Sequence, residues 1–175
     1  MDKKNIIIDL DEKVINFICN ETNENKEKIN NYILDIVYNG CTENNINSEK
    51  IYISISSANK DEIKEINKEY RKIDRPTDVL SFPIFERDEL KNMSLKNDKQ
   101  ILKEIELGDI ILCLDVIKEQ SIEYGTGVLR ETLYMITHGV CHLIGYDHIV
   151  DEEKKEMRQM EEKILNKIGV SKDEG

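Results

Sequence analysis

The sequence predicts one compact domain of the α/β (α+β) class over residues 1–175, and three observations support this prediction. The chain has 175 residues, of which 39% are hydrophobic, so it is long enough for one sizeable core and short for two. Segments with the two-residue period of a strand alternate with segments that have the period of a helix. Neither a repeat nor a low-complexity linker interrupts this alternation in the sequence.

The first half of the chain contains two predicted strands and two predicted helices. Three consecutive isoleucines within residues 5–9 favour a short strand, and the apolar residues of segment 26–39 form one helical stripe that Gly40 is expected to end. In residues 50–56, isoleucine recurs at every second position, which is typical of a strand with one buried face. A helix over residues 61–72 follows.

A short edge strand and a long polar segment come next. Residues 78–82 are β-prone and lie between Pro76 and Pro83, and proline is tolerated at the edge of a sheet. Residues 84–106 are rich in charge and have no dense apolar stripe. We therefore expect a mobile excursion there, with one helical turn near residues 101–105.

The last third of the chain again has strong patterns. Residues 110–114 form a continuous apolar run, as expected of a strand that is covered on both faces. A helix over residues 115–123 precedes a glycine-containing break at residues 125–127. The helix that begins at Val128 has apolar residues on one face, and a final amphipathic helix covers residues 151–168.

Charge and cysteine content limit the possible partners and the compartment. With 36 acidic and 25 basic residues, the formal net charge is −11, which opposes nonspecific attraction to nucleic acid or to an anionic membrane. Any contact with nucleic acid must therefore be local. The four cysteines have no paired Cys-x-x-Cys spacing, and the amino-terminal residues lack a long apolar stretch. These features predict a cytoplasmic protein with reduced thiols and no membrane partner.

All three histidines of the chain lie within the eleven residues 138–148. On a helix, side chains four residues apart share one face with Cβ atoms about 5–6 Å apart, so His138 and His142 can bind one metal ion. Six further helical residues would carry His148 about 240° around the axis, so the helix must end before it. Gly145 lies at this point, because glycine accepts the positive φ that ends many helices. The pattern predicts one zinc ion with three histidine ligands.

This spacing resembles the His-Glu-x-x-His-x-x-Gly-x-x-His ligand set of the metzincin proteases, which predicts a zincin-like metal helix. Position 139 is glycine, however, where those proteases have the glutamate that serves as general base. This difference argues against ordinary peptide hydrolysis. Three protein ligands leave the fourth position to water or substrate, as in catalytic zinc sites. Cys141 lies immediately beside His142, and we interpret it as a buried thiol rather than a ligand.

A second resemblance covers most of the chain from about residue 51 to residue 165. Residues 138–148 read HGVCHLIGYDH and residues 70–83 read YRKIDRPTDVLSFP, and both segments resemble signatures of the YbeY family of ribosomal RNA maturation factors. Residues 107–110, LGDI, also resemble a strand opening of that family. The resemblance implies a small mixed sheet of four strands packed with five or six helices. It also implies a single-strand-specific, zinc-dependent endoribonuclease that processes the 3′ end of 16S ribosomal RNA late in ribosome maturation.

The resemblance also implies the roles of individual residues. It assigns the metal ligands to His138, His142 and His148, and the functionally important arginine to Arg71. The guanidinium of Arg71 can bind a phosphate with two parallel hydrogen bonds, and we expect Lys72 and Arg75 to extend the contact to the RNA backbone. Charge alone favours a solvated helix end at these three basic residues, and only the flanking signature favours the functional role. Expected partners are the small-subunit ribosomal RNA precursor and the ribosome or its proteins.

Two aspartates are candidates for supporting the site. Asp147, next to the third ligand, can orient a histidine ring, and Asp78 can approach from the neighbouring loop. A turn that supports the bend at Pro76 and Thr77 is the alternative role for Asp78. Neither aspartate is assigned as general base, which is left open together with the native metal.

Two other functions remain as alternatives. One is a metallopeptidase-like hydrolase, which the metzincin-like spacing favours and Gly139 disfavours. The other is a noncatalytic, zinc-stabilised ribosome-assembly protein, in which the metal mainly holds the last helix in place.

Overall fold

A computed structural model describes residues 1–96 and 102–170 of the chain. The four strands are β1 (Ile6–Leu10), β2 (Ser48–Ser57), β3 (Val79–Pro83) and β4 (Leu102–Leu112). Among the described residues there are seven α-helices, preceded by a 3-10 turn at Lys3–Asn5. These helices are α1 (Glu12–Glu21), α2 (Lys26–Glu43), α3 (Lys60–Arg71), α4 (Arg87–Lys96), α5 (Leu114–Glu123), α6 (Val128–Leu143) and α7 (Asp151–Lys167).

The strands form one mixed sheet in the order β1-β2-β4-β3. Strands β1 and β4 run parallel to β2, with Ile6 opposite Ile51 and Ile55 opposite Ile110. Strand β3 is antiparallel to β4 and lies at the edge of the sheet, as the flanking prolines predict. The single α/β domain with a small mixed four-stranded sheet is therefore confirmed.

Helix α6 lies at the centre of the packing and contacts α2, α5, α7, β3 and β4. Its apolar face is fully buried at Leu133, Ile136 and Val140, at the spacing that the sequence predicts. Each large aliphatic side chain buried in this way stabilises the fold by about 1.5–3 kcal/mol. The helix that carries the first two histidines is therefore fixed by the main hydrophobic core.

The structure corrects the predicted end of the second helix and adds a helix before it. Helix α2 continues through Gly40 to Glu43, because Gly40 lies against α6, where a Cβ would be 3.0 Å from Val140 Cγ1. Gly40 therefore serves close helix packing rather than helix termination. Helix α1 was not predicted, although Asp11 caps it by accepting a hydrogen bond from the Lys13 N–H.

The segment 84–106 differs from the prediction in its described parts. It contains α4, in which Leu90 is buried, and the first residues of β4. The predicted helical turn is wrong for residues 102–105, because Ile105 is buried opposite Ile51 of β2. Residues 97–101 lie outside the described residues, and the mobility of the segment stays a prediction.

Apart from β4, the other predicted elements are confirmed within two residues at each end. The strand predicted over residues 110–114 is only the end of β4, which begins at Leu102 and in which Leu107, Ile110 and Leu112 are fully buried. None of the helices in residues 1–96 and 102–170 is long and apolar enough to span a membrane.

Candidate active site

Helix α6 places two imidazoles side by side at one end of the core. The Nε2 atoms of His138 and His142 lie 3.2 Å apart, as the spacing of four helical residues predicts. Two nitrogens on one tetrahedral zinc ion, each at roughly 2.0–2.1 Å from it, would lie about 3.3 Å apart. The pair is therefore spaced to share one metal ion.

A glycine turn returns the chain to this pair. Helix α6 ends at Leu143, and Gly145 has a φ of +92°. The N–H of Gly145 donates to the His142 carbonyl at 2.9 Å and the N–H of Tyr146 donates to the Cys141 carbonyl at 2.9 Å, which is the Schellman pattern. The predicted helix end at this glycine is confirmed.

The turn brings the third histidine into contact with the first two. The rings of His148 and His142 have centroids 5.1 Å apart, and those of His148 and His138 are 5.6 Å apart. One ligand atom from each of the three side chains lies within 4.8 Å of the others. The three residues therefore form a cluster that can hold a metal ion.

The Nδ1 atoms of the first two histidines are already engaged. Nδ1 of His142 lies 3.0 Å from the Tyr146 carbonyl oxygen, and Nδ1 of His138 lies 2.7 Å from Oε1 of Glu161. Because both partners are acceptors, the ring protons belong on Nδ1 and the lone pairs on Nε2. Both lone pairs are thus available for a metal ion.

Sequence reasoning missed Glu161, which is only 4% exposed. It lies on the buried face of α7, four residues after Met157 and three before Ile164, where an apolar residue is expected. A charged residue on an apolar stripe was the available signal. Finding its partner required the packing of α7 against α6.

Burial also keeps one of the three imidazoles neutral. The pKa of His142 is lowered to about 4, first by burial and then by the proximity of His138 and His148. His142 is therefore unprotonated at neutral pH, as metal binding requires.

Arg71 lies across a cleft from the histidines. It is the last residue of α3, and its Nη2 donates to the Ser81 carbonyl of β3 at 3.3 Å. The buried side chain of Asn67 donates to the Arg75 carbonyl at 2.8 Å and fixes the loop that follows. The histidines, the end of α3, this loop and β3 enclose a cleft of about 300 Å³.

Of the other two predicted basic residues, one lines the cleft and one does not. Arg75 lines the cleft together with Arg71. Lys72 is the left-handed cap of α3, with a φ of 62°, and its Nζ donates to the Glu69 carbonyl at 2.8 Å. Lys72 is not among the residues that line the cleft.

Both predicted aspartates make contacts with backbone or polar groups near the site. Asp147 accepts the His148 N–H at 2.8 Å. Asp78 lines the cleft, and its carboxylate accepts the Val79 N–H at 2.8 Å and hydrogen bonds from Thr77 and Gln120. These contacts hold the backbone near the histidines rather than an imidazole ring.

Cys141 and Gly139 lie between the two helical histidines and face the core. Cys141 is fully buried, and burial raises the pKa of its thiol well above the usual value, which agrees with the predicted buried thiol. Gly139 lies against β4, where a Cβ would be 2.7 Å from Ile110 Cδ1. Glycine at this position allows helix and sheet to approach closely.

The donor set fits a metal ion with an open coordination position. Three neutral imidazoles are the ligand set of one kind of catalytic zinc site, and structural sites usually have four protein ligands. Together with the arginine across the cleft, the fold and site are those of a hydrolase that could hold a metal ion.

Comparison with known proteins specifies the class. The family model described as "Endoribonuclease YbeY" matches residues 16–169. The chain belongs to the endoribonuclease YbeY family. The "Endoribonuclease YbeY" of Clostridioides difficile (strain 630) is 40% identical over 148 residues, covering 84% of this chain and 88% of the relative.

Other relatives agree. The protein of the same name from Clostridium botulinum (strain 657) is 42% identical over 161 residues, covering 86% of this chain and 96% of the relative. That from Caldicellulosiruptor saccharolyticus is 44% identical over 128 residues, covering 73% and 79%. A solution structure of a Thermotoga maritima protein has a TM-score of 0.51 at 23% identity, covers 92% of this chain and 91% of that one, and supports the fold alone.

Proposed function

We propose that this chain is a zinc-dependent, single-strand-specific endoribonuclease that processes the 3′ end of 16S ribosomal RNA late in ribosome maturation. The observation that carries the proposal is the convergence of His138, His142 and His148 opposite Arg71 in one cleft. The three imidazoles would hold the zinc ion. Arg71 and Arg75 would contact the RNA.

The residues of the cleft divide the chemistry between them. A bound zinc ion would supply a Lewis acid that polarises a phosphoryl oxygen and lowers the pKa of a water molecule. Arg71 presents a planar guanidinium that can hold the phosphate by two charge-assisted hydrogen bonds. Its contact with the Ser81 carbonyl keeps the guanidinium at the edge of the sheet, facing the histidines.

The charge distribution suits a short local contact with RNA. The whole chain has a net charge of −11, so an extended run of phosphates along its surface is disfavoured. Within the cleft, neutral imidazoles would leave the charge of a bound zinc ion near +2, and the two arginines together outweigh the one carboxylate, that of Asp78. A short single-stranded segment places few phosphates outside this region.

The same charge argument supports a partner on the ribosome. Weak nonspecific affinity for RNA leaves the enzyme in need of a docking site close to its substrate, and we propose that the ribosome or its proteins provide it. We also propose that the protein acts in the cytoplasm. This location is consistent with the cysteines in the described residues, which are all free thiols.

The two alternatives receive less support from the site. A peptidase needs a glutamate beside the first ligand, but a side chain at position 139 would collide with Ile110. A purely structural zinc ion usually has four protein ligands, whereas the cluster found among the described residues contains three.

The decisive experiment combines metal analysis of the purified protein with RNA cleavage by the wild type and by His142→Ala. We expect about one zinc ion per wild-type chain, cleavage of single-stranded RNA in preference to a duplex of the same sequence, and loss of both metal and cleavage in the variant. Metal-loaded wild-type protein that cleaves peptides but not RNA would establish the peptidase alternative. A blank RNA assay, together with a chelator-sensitive melting temperature, would establish the structural role of zinc.

A further inference from the structure

Buried hydrogen bonds connect the histidine cluster on α6 to the neighbouring helix α7. Glu161 Oε1 lies 2.7 Å from Nδ1 of His138, and Oε2 of the same carboxylate lies 3.2 Å from the hydroxyl of Tyr134. Tyr134 and His138 are four residues apart on α6, so they face α7 together. The carboxylate thus bridges two side chains of the neighbouring helix.

The burial of Glu161 needs a reason. The side chain of Glu161 is 5% exposed, and a buried carboxylate is strongly unfavourable unless it is paired and hydrogen-bonded. The two hydrogen bonds satisfy both of its oxygens. An apolar residue at position 161 would fill this stripe of α7 without the cost of burying a charge. The carboxylate is therefore explained by its hydrogen bonds to His138 and Tyr134, and not by packing.

The hydroxyl group of Tyr134 is a stable donor in this chain. Its pKa is raised to about 12 by burial and by the negative charge of Glu161. The hydroxyl is therefore protonated at neutral pH and donates to Oε2, which leaves Oε1 directed at the imidazole of His138.

We propose that Glu161, itself oriented by Tyr134, is the positioning residue of the metal centre, fixing the ring of His138 with the proton on Nδ1 and the lone pair of Nε2 towards the ion. Glu161 also sets His138 apart from His142, whose Nδ1 partner is a neutral backbone carbonyl. A carboxylate partner makes its imidazole a stronger ligand than a carbonyl partner does. The inference rests on the proposed metal centre but not on RNA as its substrate.

The test is the affinity of the full-length protein for Zn²⁺, measured by competition with a chelator, with the absorption spectrum of the Co²⁺-loaded protein as a second readout. Glu161→Leu removes the acceptor, Glu161→Gln keeps an acceptor oxygen without the charge, and Tyr134→Phe removes only the hydroxyl. Glu162→Gln is the matched control, because Glu162 is the next residue, is exposed and pairs with Arg158 at 3.8 Å.

We expect Glu161→Leu to raise the Kd for Zn²⁺ about 10–100-fold and to change the Co²⁺ spectrum. Glu161→Gln should have a smaller effect than Glu161→Leu, and Tyr134→Phe should raise the Kd by about 2–10-fold, as expected for one lost hydrogen bond. Glu162→Gln should bind like the wild type. Circular dichroism of the metal-free variants checks that each is folded.

Equal Zn²⁺ affinity in wild type and Glu161→Leu would overturn the inference, as would an equal loss in Glu162→Gln. If Glu161→Leu does not fold, Glu161→Gln and Tyr134→Phe decide, and wild-type affinity in both would overturn it. Failure of the proposed function would give results that differ from these. Wild-type protein that binds Zn²⁺ but leaves RNA intact removes the nuclease and leaves the role of Glu161 testable, whereas wild-type protein that binds no Zn²⁺ removes both.

Discussion

The two walls of the cleft are built differently. The histidine wall consists of His138, His142 and His148, and two of its rings are held by hydrogen bonds, one of them to a carboxylate that is 4% exposed. The arginine wall consists of Arg71 and Arg75, both exposed, and the guanidinium of Arg71 has one hydrogen bond at 3.3 Å to a backbone carbonyl. The two helical histidines are therefore held in place before anything binds, whereas the exposed arginines can adjust to a phosphate.

The largest effect should come from the histidine wall. We predict that His138→Ala loses its metal and at least about 10³-fold of RNA cleavage, because a Lewis acid contributes several kcal/mol to such a reaction. His148→Ala should retain more Zn²⁺ affinity, since His148 lies on an exposed turn and its ring contacts are to the other two histidines. Zinc titration and cleavage rates measure both. Tighter metal binding by His138→Ala than by His148→Ala would contradict the difference drawn between helix and turn.

The next largest effect should come from the turn that joins helix and third ligand. Gly145→Ala combines a φ of +92° with a Cβ 2.6 Å from Arg87 Cα, so we expect a loss of about 2–4 kcal/mol in the free energy of unfolding. This corresponds to a melting temperature lower by roughly 5–15 °C.

Gly125→Ala is the matched control for this substitution. Its φ is +65°, but a Cβ there meets nothing within 4 Å in the described residues. It should therefore lose only the backbone term of about 1–2 kcal/mol. Equal melting temperatures of the two variants would show that contact with Arg87 does not limit the turn.

The arginine wall should affect RNA cleavage without affecting the metal. Arg71→Ala removes the charge-assisted contact to phosphate, which predicts a fall in kcat/KM of about 10–100-fold at unchanged zinc content. Lys72→Gln removes the same charge from the next residue, outside the cleft lining, and should have a much smaller effect. Zinc loss in Arg71→Ala would mean that the two walls are not independent.

The smallest effect concerns the support of the histidine wall by α7, the helix that carries Glu161. Glu43 at the end of α2 forms salt bridges with Lys163 and Lys167 of α7, and these lower its pKa below the usual 4.5. A lowered pKa in the folded state means that this stability is present above pH 4.5 and is lost as the pH falls through the folded value.

We therefore predict that Glu43→Gln loses about 0.2–1 kcal/mol of stability at pH 7 and progressively less below pH 4.5. Denaturant titrations at several pH values measure this difference. A difference that grows at acidic pH would have the wrong sign for a salt bridge.

Local patterns were sufficient for much of the fold. Strand β2 and helices α6 and α7 were predicted within three residues at each end. Their signals are an alternation of isoleucines in β2 and apolar stripes in the two helices, and each of these periods is a property of the segment itself. Helices α1 and α4, the course of α2 through Gly40 and the first half of β4 were missed. Their signals depend on what packs against them, as Ile105 of β4 shows by pairing with Ile51 of β2.

The sequence by itself predicted that the three histidines cluster and that a glycine turn lies between the second and the third, because a spacing of four residues and a positive φ are properties of the local chain. Resemblance to a family singled out Arg71, which the structure places in the same cleft as the histidines. Only the tertiary structure decided that Arg75 rather than Lys72 lines the cleft, and that Glu161 rather than either predicted aspartate is hydrogen-bonded to a histidine ring. These contacts join α3, β3, α6 and α7, and the distance between residues far apart in the chain is set by core packing, which no local pattern contains.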